Sequence, residues 1–316
     1  MSIGSQIRGI NITELFNCEL IATSDIDKEA VLSYAAIHCG LTEERISKFV
    51  HLCPPDEEMR RVLIEKNVGL DLKKGTNPIA RLKGRNLQRY WMADKVSKNL
   101  GDISKVEKLP YADCWTYSFP CQSISVSGRQ EGIVKGETRS GLIYEVFRLL
   151  DKAKEEGTLP QYLLMENVKN LVGSKFIKDF NNFLSILDEI GYNNYWTVIN
   201  AKNTGVPQNR ERVFCMSIRK DIDTKCYVFP KPFDTGIRLK DVLESEVDKR
   251  YYLPQEKVEI LLSRMPEDKL NSLLYDMSDA GRDGGKRGGQ GFTDYAPALR
   301  ARDYKEPRYI NECGEC

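Results

Sequence analysis

The chain has 316 residues, 41% of them hydrophobic and 29% charged, with a formal net charge of +1. That length and balance describe an ordinary soluble globular protein of one large domain or two. They exclude a uniformly basic nucleic-acid binder, so any nucleic-acid surface must come from local patches. No apolar run approaches membrane-span length, and Met1-Ser2-Ile3-Gly4 begins no signal peptide. Nine cysteines without a disulfide framework point to a reducing cytoplasm.

The stretch Ser2 to Gly9 has glycine-loop character but no strand ahead of it. Glu19 to Asp25 reads as a strand ending in an acid, and Asp27 to His38 as a helix with Ser24 or Asp25 near its N-terminus. A carboxylate after such a strand suits the ribose hydroxyls of a nucleoside cofactor; the competing assignment for Asp25 is a plain helix cap. Leu41 to Asn99 is highly charged, with helical stretches such as Glu57 to Ile64, broken at Lys73 to Pro78. Arg81, Lys83, Arg85 and Arg89 adjoin Tyr90 and Trp91. They suit a phosphate contact with stacking. A solvated insertion whose aromatics pack on the main domain is the favoured alternative.

Cys114 to Phe119 reads as an apolar strand that stops at Pro120, which cannot donate to a ladder. Cys121 then sits just past a strand's carboxyl end, where open α/β sheets place ligands. A lone cysteine is usually a buried structural one. Two further clusters argue otherwise. Glu166-Asn167-Val168 closes the strand Tyr162 to Met165, and Gln208 to Arg212 leads into the strand Val213 to Ile218. Thiol, carboxyl and paired guanidinium groups, each beside a strand end, are expected to converge on one cleft. Between them, 139–150 and Phe180 to Ile190 read as helices, the second closed by Gly191, and Tyr195 to Asn200 as a strand. Beyond Cys226 the pattern weakens into the glycine-rich 281–291, the segment Pro297 to Asp303 and a terminal Cys313-x-x-Cys316. A single pair of that kind is weak zinc evidence, and no metal site is expected.

Pro120-Cys121-Gln122, Glu166-Asn167-Val168 and Gln208-x-Arg210-x-Arg212, in that order and spacing, resemble three signature motifs of the C5-cytosine DNA methyltransferases. The resemblance runs from about Ile3 to Ile218, with 41–99 as an insertion. It implies a Rossmann-like α/β fold with a mostly parallel sheet and flanking helices. Residues 1–225 would form the catalytic domain and 226–316 part of a target-recognition region that reads bases in the major groove. It implies S-adenosylmethionine as cofactor, with Gly4 in the glycine turn, Asp25 on the ribose, Ile26 against adenine and Asp102 accepting from the adenine amino group. Pro120 and Leu142 would lie near the same cofactor. Cys121 would be the nucleophile on a flipped cytosine, Glu166 would bond the N3 and amino edge, Arg212 would hold O2, and Arg210 would order a loop or a phosphate.

By the same resemblance the partner is double-stranded DNA, with room for a cognate restriction endonuclease and none for a membrane, and the expected state is a monomer. Two departures stand out. The strand, aromatic residue and first glycine that precede Gly4 in the family are absent, as is the closing Gly-Asn-Ser segment. A chain truncated at both ends, binding its cofactor weakly, is the expectation they raise. Two alternatives follow: the same chemistry on tRNA, and a catalytically impaired nucleic-acid-binding remnant.

Overall fold

The computed structural model describes residues 18–119 and 142–246, with short stretches beyond that include 274–276, 290–292, 294–297 and 309–310. Gly4, Pro120 and Cys121 lie outside the described residues, as do all of 281–289, 298–303 and 313–316. The chain divides into two compact units. One comprises Met1–Thr197 and Val213–Val228, the other Val198–Arg212 and Phe229–Cys316.

The first unit opens with an extended segment. The expected strand Glu19 to Asp25 is reduced to one parallel bridge, Thr23 with Asn99. Among the described residues only Thr23 exchanges backbone bonds there, its N–H with Lys98 O and its carbonyl with Leu100 N. Helix α1 (Lys28–His38) follows, capped by Asp27, whose carboxylate accepts from Glu29 N and Ala30 N. The cap is therefore neither Ser24 nor Asp25. Ser24 donates instead to Gly101 O at 2.7 Å. Asp25 Oδ1 accepts from the N–H of the capping residue itself.

The 41–99 segment folds into helices α2 (Glu43–Phe49), α3 (Asp56–Glu65) and α4 (Gly84–Val96). Two apolar clusters hold it. Val31 and Ala35 of α1 pack with Leu41, Ile46 and Ala93; Met59, Leu63, Val68, Ile79 and Leu87 form the other. Burying each such side chain stabilises by about 1.5–3 kcal/mol. Arg85 and Arg89 reach Glu43 at 3.1 and 2.7 Å, Lys95 lies over Trp91, and Lys28 of α1 lies over Tyr90. Arg85, Arg89, Tyr90 and Trp91, expected to meet phosphate, thus have partners in Glu43, Lys28 and Lys95, which favours the packed-insertion alternative.

The sheet comprises β1 (Cys114–Tyr117), β2 (Tyr162–Val168), β3 (Tyr192–Asn200) and β5 (Glu211–Arg219), in the order β1-β2-β5-β3. β1 and β2 pair in parallel, Cys114 against Tyr162 through Tyr117 against Met165. β5 runs the other way. The N–H of Arg219, at its far end, bonds Gln161 O just before β2, and that of Lys220 bonds Gly191 O just before β3. The sheet is therefore mixed rather than mostly parallel: β5 enters directly from β3 through a short connection, which leaves no room for the crossover a parallel strand requires. Helices α5 (Ile143–Glu155) and α6 (Ile177–Ile190) connect the parallel strands. α5 buries Ile143, Val146, Phe147, Leu150 and Ala153 at helical spacing, and Phe147 meets Phe183 of α6 at 5.8 Å. Gly191, at φ +132°, closes α6 where the sequence places its stop.

In the second unit, β4 (Gln208–Asn209) pairs in parallel with β8 (Ala296–Pro297). β6 (Leu274–Asp276) lies between β7 (Gln290–Phe292) and β9 (Tyr309–Ile310), antiparallel to both.

Candidate active site

β2 shows how a strand sorts its side chains. Leu163, Met165 and Asn167 are buried on one face, while Glu166 is partly exposed on the other. Glu166 therefore belongs to the strand, two residues before its end, rather than following it. Asn167 is only 1% exposed, so its amide needs partners. Nδ2 donates to Phe119 O at 3.1 Å and Oδ1 accepts from Val168 N at 2.9 Å. Phe119 is two residues ahead of Cys121 in the sequence. The end of β2 that carries Glu166 is thus tied to the chain that leads into Pro120-Cys121, at the carboxyl ends of two parallel neighbours. Leu142 occupies the N-cap position of α5 and is half-buried.

A second constellation gathers the expected cofactor residues. Asn99 is buried, and its Oδ1 accepts from Asp25 N at 3.0 Å while its Nδ2 donates to Asp25 O at 3.1 Å. The same Oδ1 accepts from Gly101 N at 3.2 Å. One asparagine side chain therefore brings the Asp25 and Gly101-Asp102 turns together. Asp25 Oδ1 accepts from Asp27 N at 2.8 Å, and Ile26 O accepts from Gly69 N at 2.6 Å. Asp102 accepts from Asn67 Nδ2 at 2.7 Å and from Ser104 N and Oγ at 3.0 and 2.7 Å. Burial pushes the Asp102 carboxyl up. The bonds from Asn67 and Ser104, with Lys105 nearby, outweigh it and hold the group below its ordinary value.

Beneath these turns lies a buried charge. Asp94 has no exposed side-chain area, and Lys66 Nζ meets its Oδ2 at 2.8 Å while also donating to Asn99 O at 2.6 Å. The Lys66 carbonyl accepts from Asp102 N at 2.9 Å. Neither Lys66 nor Asn67 stood out in the sequence. An asparagine after a helix signals a cap, but nothing in the sequence connects it to a residue 35 positions on.

The donor set fits a nucleoside. Asp102 is an ionised acceptor whose Oδ2 takes one of these bonds and keeps a lone pair. Asp25 stands at the neighbouring turn, with half-buried Ile26 beside it.

In the second unit, Arg210 is fixed through its backbone. Its N–H donates to Asn200 Oδ1 at 3.1 Å, its carbonyl accepts from Ala201 N at 3.0 Å, and Asn200 Nδ2 reaches Asn209 Oδ1 at 2.7 Å. Arg212 lies on β5 itself, with Nη1 donating to Glu211 O at 2.7 Å.

Residues 66–305 match the model of the C-5 cytosine-specific DNA methylases. The chain belongs to that family. Among its relatives are the Type II methyltransferase M2.ScrFI of Lactococcus lactis subsp. cremoris and the orphan methyltransferase M.SssI of Spiroplasma monobiae. The first is 43% identical over 243 residues, 76% of this chain and 65% of the relative; the second is 32% identical over 260 residues, 77% and 65%. The chain thus spans slightly less than two thirds of their length. A solved structure of Spodoptera frugiperda DNMT2 is 24% identical, with a TM-score of 0.37 over 49% of this chain and 46% of that one. Among the described residues no helix is long and apolar enough to cross a membrane.

Proposed function

We propose that this C-5 cytosine-specific methylase transfers a methyl group from S-adenosylmethionine to C5 of cytosine in double-stranded DNA, through a covalent bond between Cys121 and a flipped base. The observation that carries it is the bond from Asn167 to Phe119, which ties the entry to Pro120-Cys121 to the end of β2 that bears Glu166. Cytosine C5 is a poor nucleophile. Addition of the Cys121 thiolate at C6 pushes the ring electrons toward C5 and N3, leaving an enamine. Glu166 hydrogen-bonds the N3 and amino edge and favours protonation there as the ring accepts charge. Arg212 holds O2, and Arg210 orders its loop or a phosphate. Asp25, Ile26 and Asp102, with Gly4, Pro120 and Leu142, would hold S-adenosylmethionine, which would supply the methyl group to C5 as its sulfur–methyl bond breaks. Loss of the C5 proton and expulsion of the Cys121 thiolate from C6 would then restore the ring and the free cysteine. A base inside the duplex cannot reach such a cleft, so flipping is required.

Residues 226–316 we assign to target recognition, with residues 1–225 as the catalytic domain of a monomer that works in the cytoplasm. A cognate restriction endonuclease fits the Type II naming of the M2.ScrFI relative. The test is trapping. DNA carrying 5-fluorocytosine should form a stable adduct with the wild-type protein when the cofactor is present. Cys121→Ser should abolish it and Cys114→Ser should keep it. An adduct that survives Cys121→Ser overturns the assignment. Parallel assays on tRNA separate the same chemistry on that substrate. DNA binding with neither adduct nor turnover would mark an impaired remnant.

A further inference from the structure

We propose that Asn67, in the turn that closes α3, is a positioning residue for Asp102 and sets how strongly the chain selects a 6-amino purine in its cofactor. The inference rests on the cofactor assignment above and concerns a contact made by the 41–99 insertion.

The local sequence builds the turn. Asn67 has φ +59°, Asn67 N donates to Ile64 O at 2.9 Å and Val68 N to Leu63 O at 2.9 Å. This is a Schellman closure, and Val68 and Leu63 share an apolar cluster as that motif favours. Asparagine tolerates the left-handed backbone and, unlike glycine, carries an amide. The amide is oriented. Lys105 Nζ donates to Asn67 Oδ1 at 2.9 Å, which turns Nδ2 toward Asp102 Oδ2 at 2.7 Å. On the other side, Ser104 holds Asp102 Oδ1 through its N–H and its hydroxyl. The carboxylate is gripped from both edges, and its remaining acceptor capacity lies on the oxygen that Asn67 holds. An ionised carboxylate only accepts, so it rewards a 6-amino group, and the reward depends on that oxygen staying in place. Without Asn67 the carboxylate is free to turn on the Ser104 side.

Asn67→Gly removes the amide and keeps the backbone conformation. Calorimetry compares the wild-type chain and this variant with two ligands: S-adenosylhomocysteine, and its purine-riboside counterpart with hydrogen in place of the amino group. The expected result is a loss of about tenfold in affinity for the adenosyl ligand, the size of one charged hydrogen bond, with little change for the counterpart. Selectivity between the two therefore falls about tenfold. Equal weakening of both ligands, or unchanged selectivity, overturns the inference. If Asn67→Gly fails to fold, Lys105→Met removes the donor that orients the amide and should lower the same ratio; an unchanged ratio then overturns it. Absence of binding by the wild-type chain overturns the cofactor assignment, and this inference with it.

Discussion

The side-chain amide of Asn167 donates to the carbonyl of Phe119 across 3.1 Å and so joins the ends of two parallel strands. Both residues are buried, at 1% and 3% exposure, so neither group has water to fall back on. Asn167→Leu keeps the volume but leaves the Phe119 carbonyl unpaired. It should destabilise the protein by about 1–3 kcal/mol, read as a lower urea midpoint. Adduct formation with 5-fluorocytosine DNA should slow by more than that stability loss accounts for. An unchanged rate would show that the tie does not position the cysteine turn.

Glu166→Gln preserves shape and removes the shared proton. Turnover should fall by about 10²-fold or more while DNA affinity holds. Single-turnover methylation beside a filter-binding titration separates the two. Equal, small losses in both would make Glu166 structural.

Gly101 tests the scaffold beneath Asp102. A Cβ there would meet the Lys66 carbonyl at 2.3 Å, and φ is +82°. Gly75 shares a positive φ, +64°, but faces open space. Gly75→Ala should therefore cost about 1–2 kcal/mol from backbone strain alone. Gly101→Ala should cost more and also weaken cofactor binding. Thermal melts and calorimetry of the pair decide it, and equal effects would argue against a close approach.

Two thiols are set apart by their surroundings. Desolvation pushes Cys114 up to about 11, with Cys18 and Asp113 adding to it, although the side chain keeps solvent contact along a largely apolar cavity of 210 Å³. Desolvation pushes Cys215 up to about 12 against a weak opposing bond from Ser217. A raised thiol stays protonated until pH approaches its shifted value, and the thiolate is the reactive form. Iodoacetamide at pH 7.5 should spare both, and Cys114 should label only as pH climbs toward 11. Rapid labelling of Cys114 at neutral pH would contradict this.

Much of this was legible in the sequence where short-range rules decide. β1, β2 and β5 were readable as apolar runs, and Gly191 as a stop. The segment from Glu19 to Asp25 looked equally strand-like, yet a strand exists only where a neighbour supplies a ladder, and among the described residues only Asn99 pairs with it. The reversed direction of β5 was invisible, since an apolar run does not encode polarity. At the site, Glu166 and Asp102 could be singled out as chemistry-bearing types. Asn99, Asn67 and Lys66 act through contacts 28 to 74 residues distant in sequence, which no local pattern reveals.

The order β1-β2-β5-β3 also sets a timetable for synthesis. β3 is made before β5 yet lies outside it, so β3 has no partner within this sheet until residue 219 has been added. Up to that moment the nascent chain carries β2 with one open edge and β3 with two. Unpaired edges of this kind are the ones that recruit wrong partners. β5 then acts as the keystone: one late strand closes both gaps, and it carries Arg212 at its start. A nascent chain from which β3 has emerged but β5 has not would therefore hold its sheet in two parts, β1-β2 and β3.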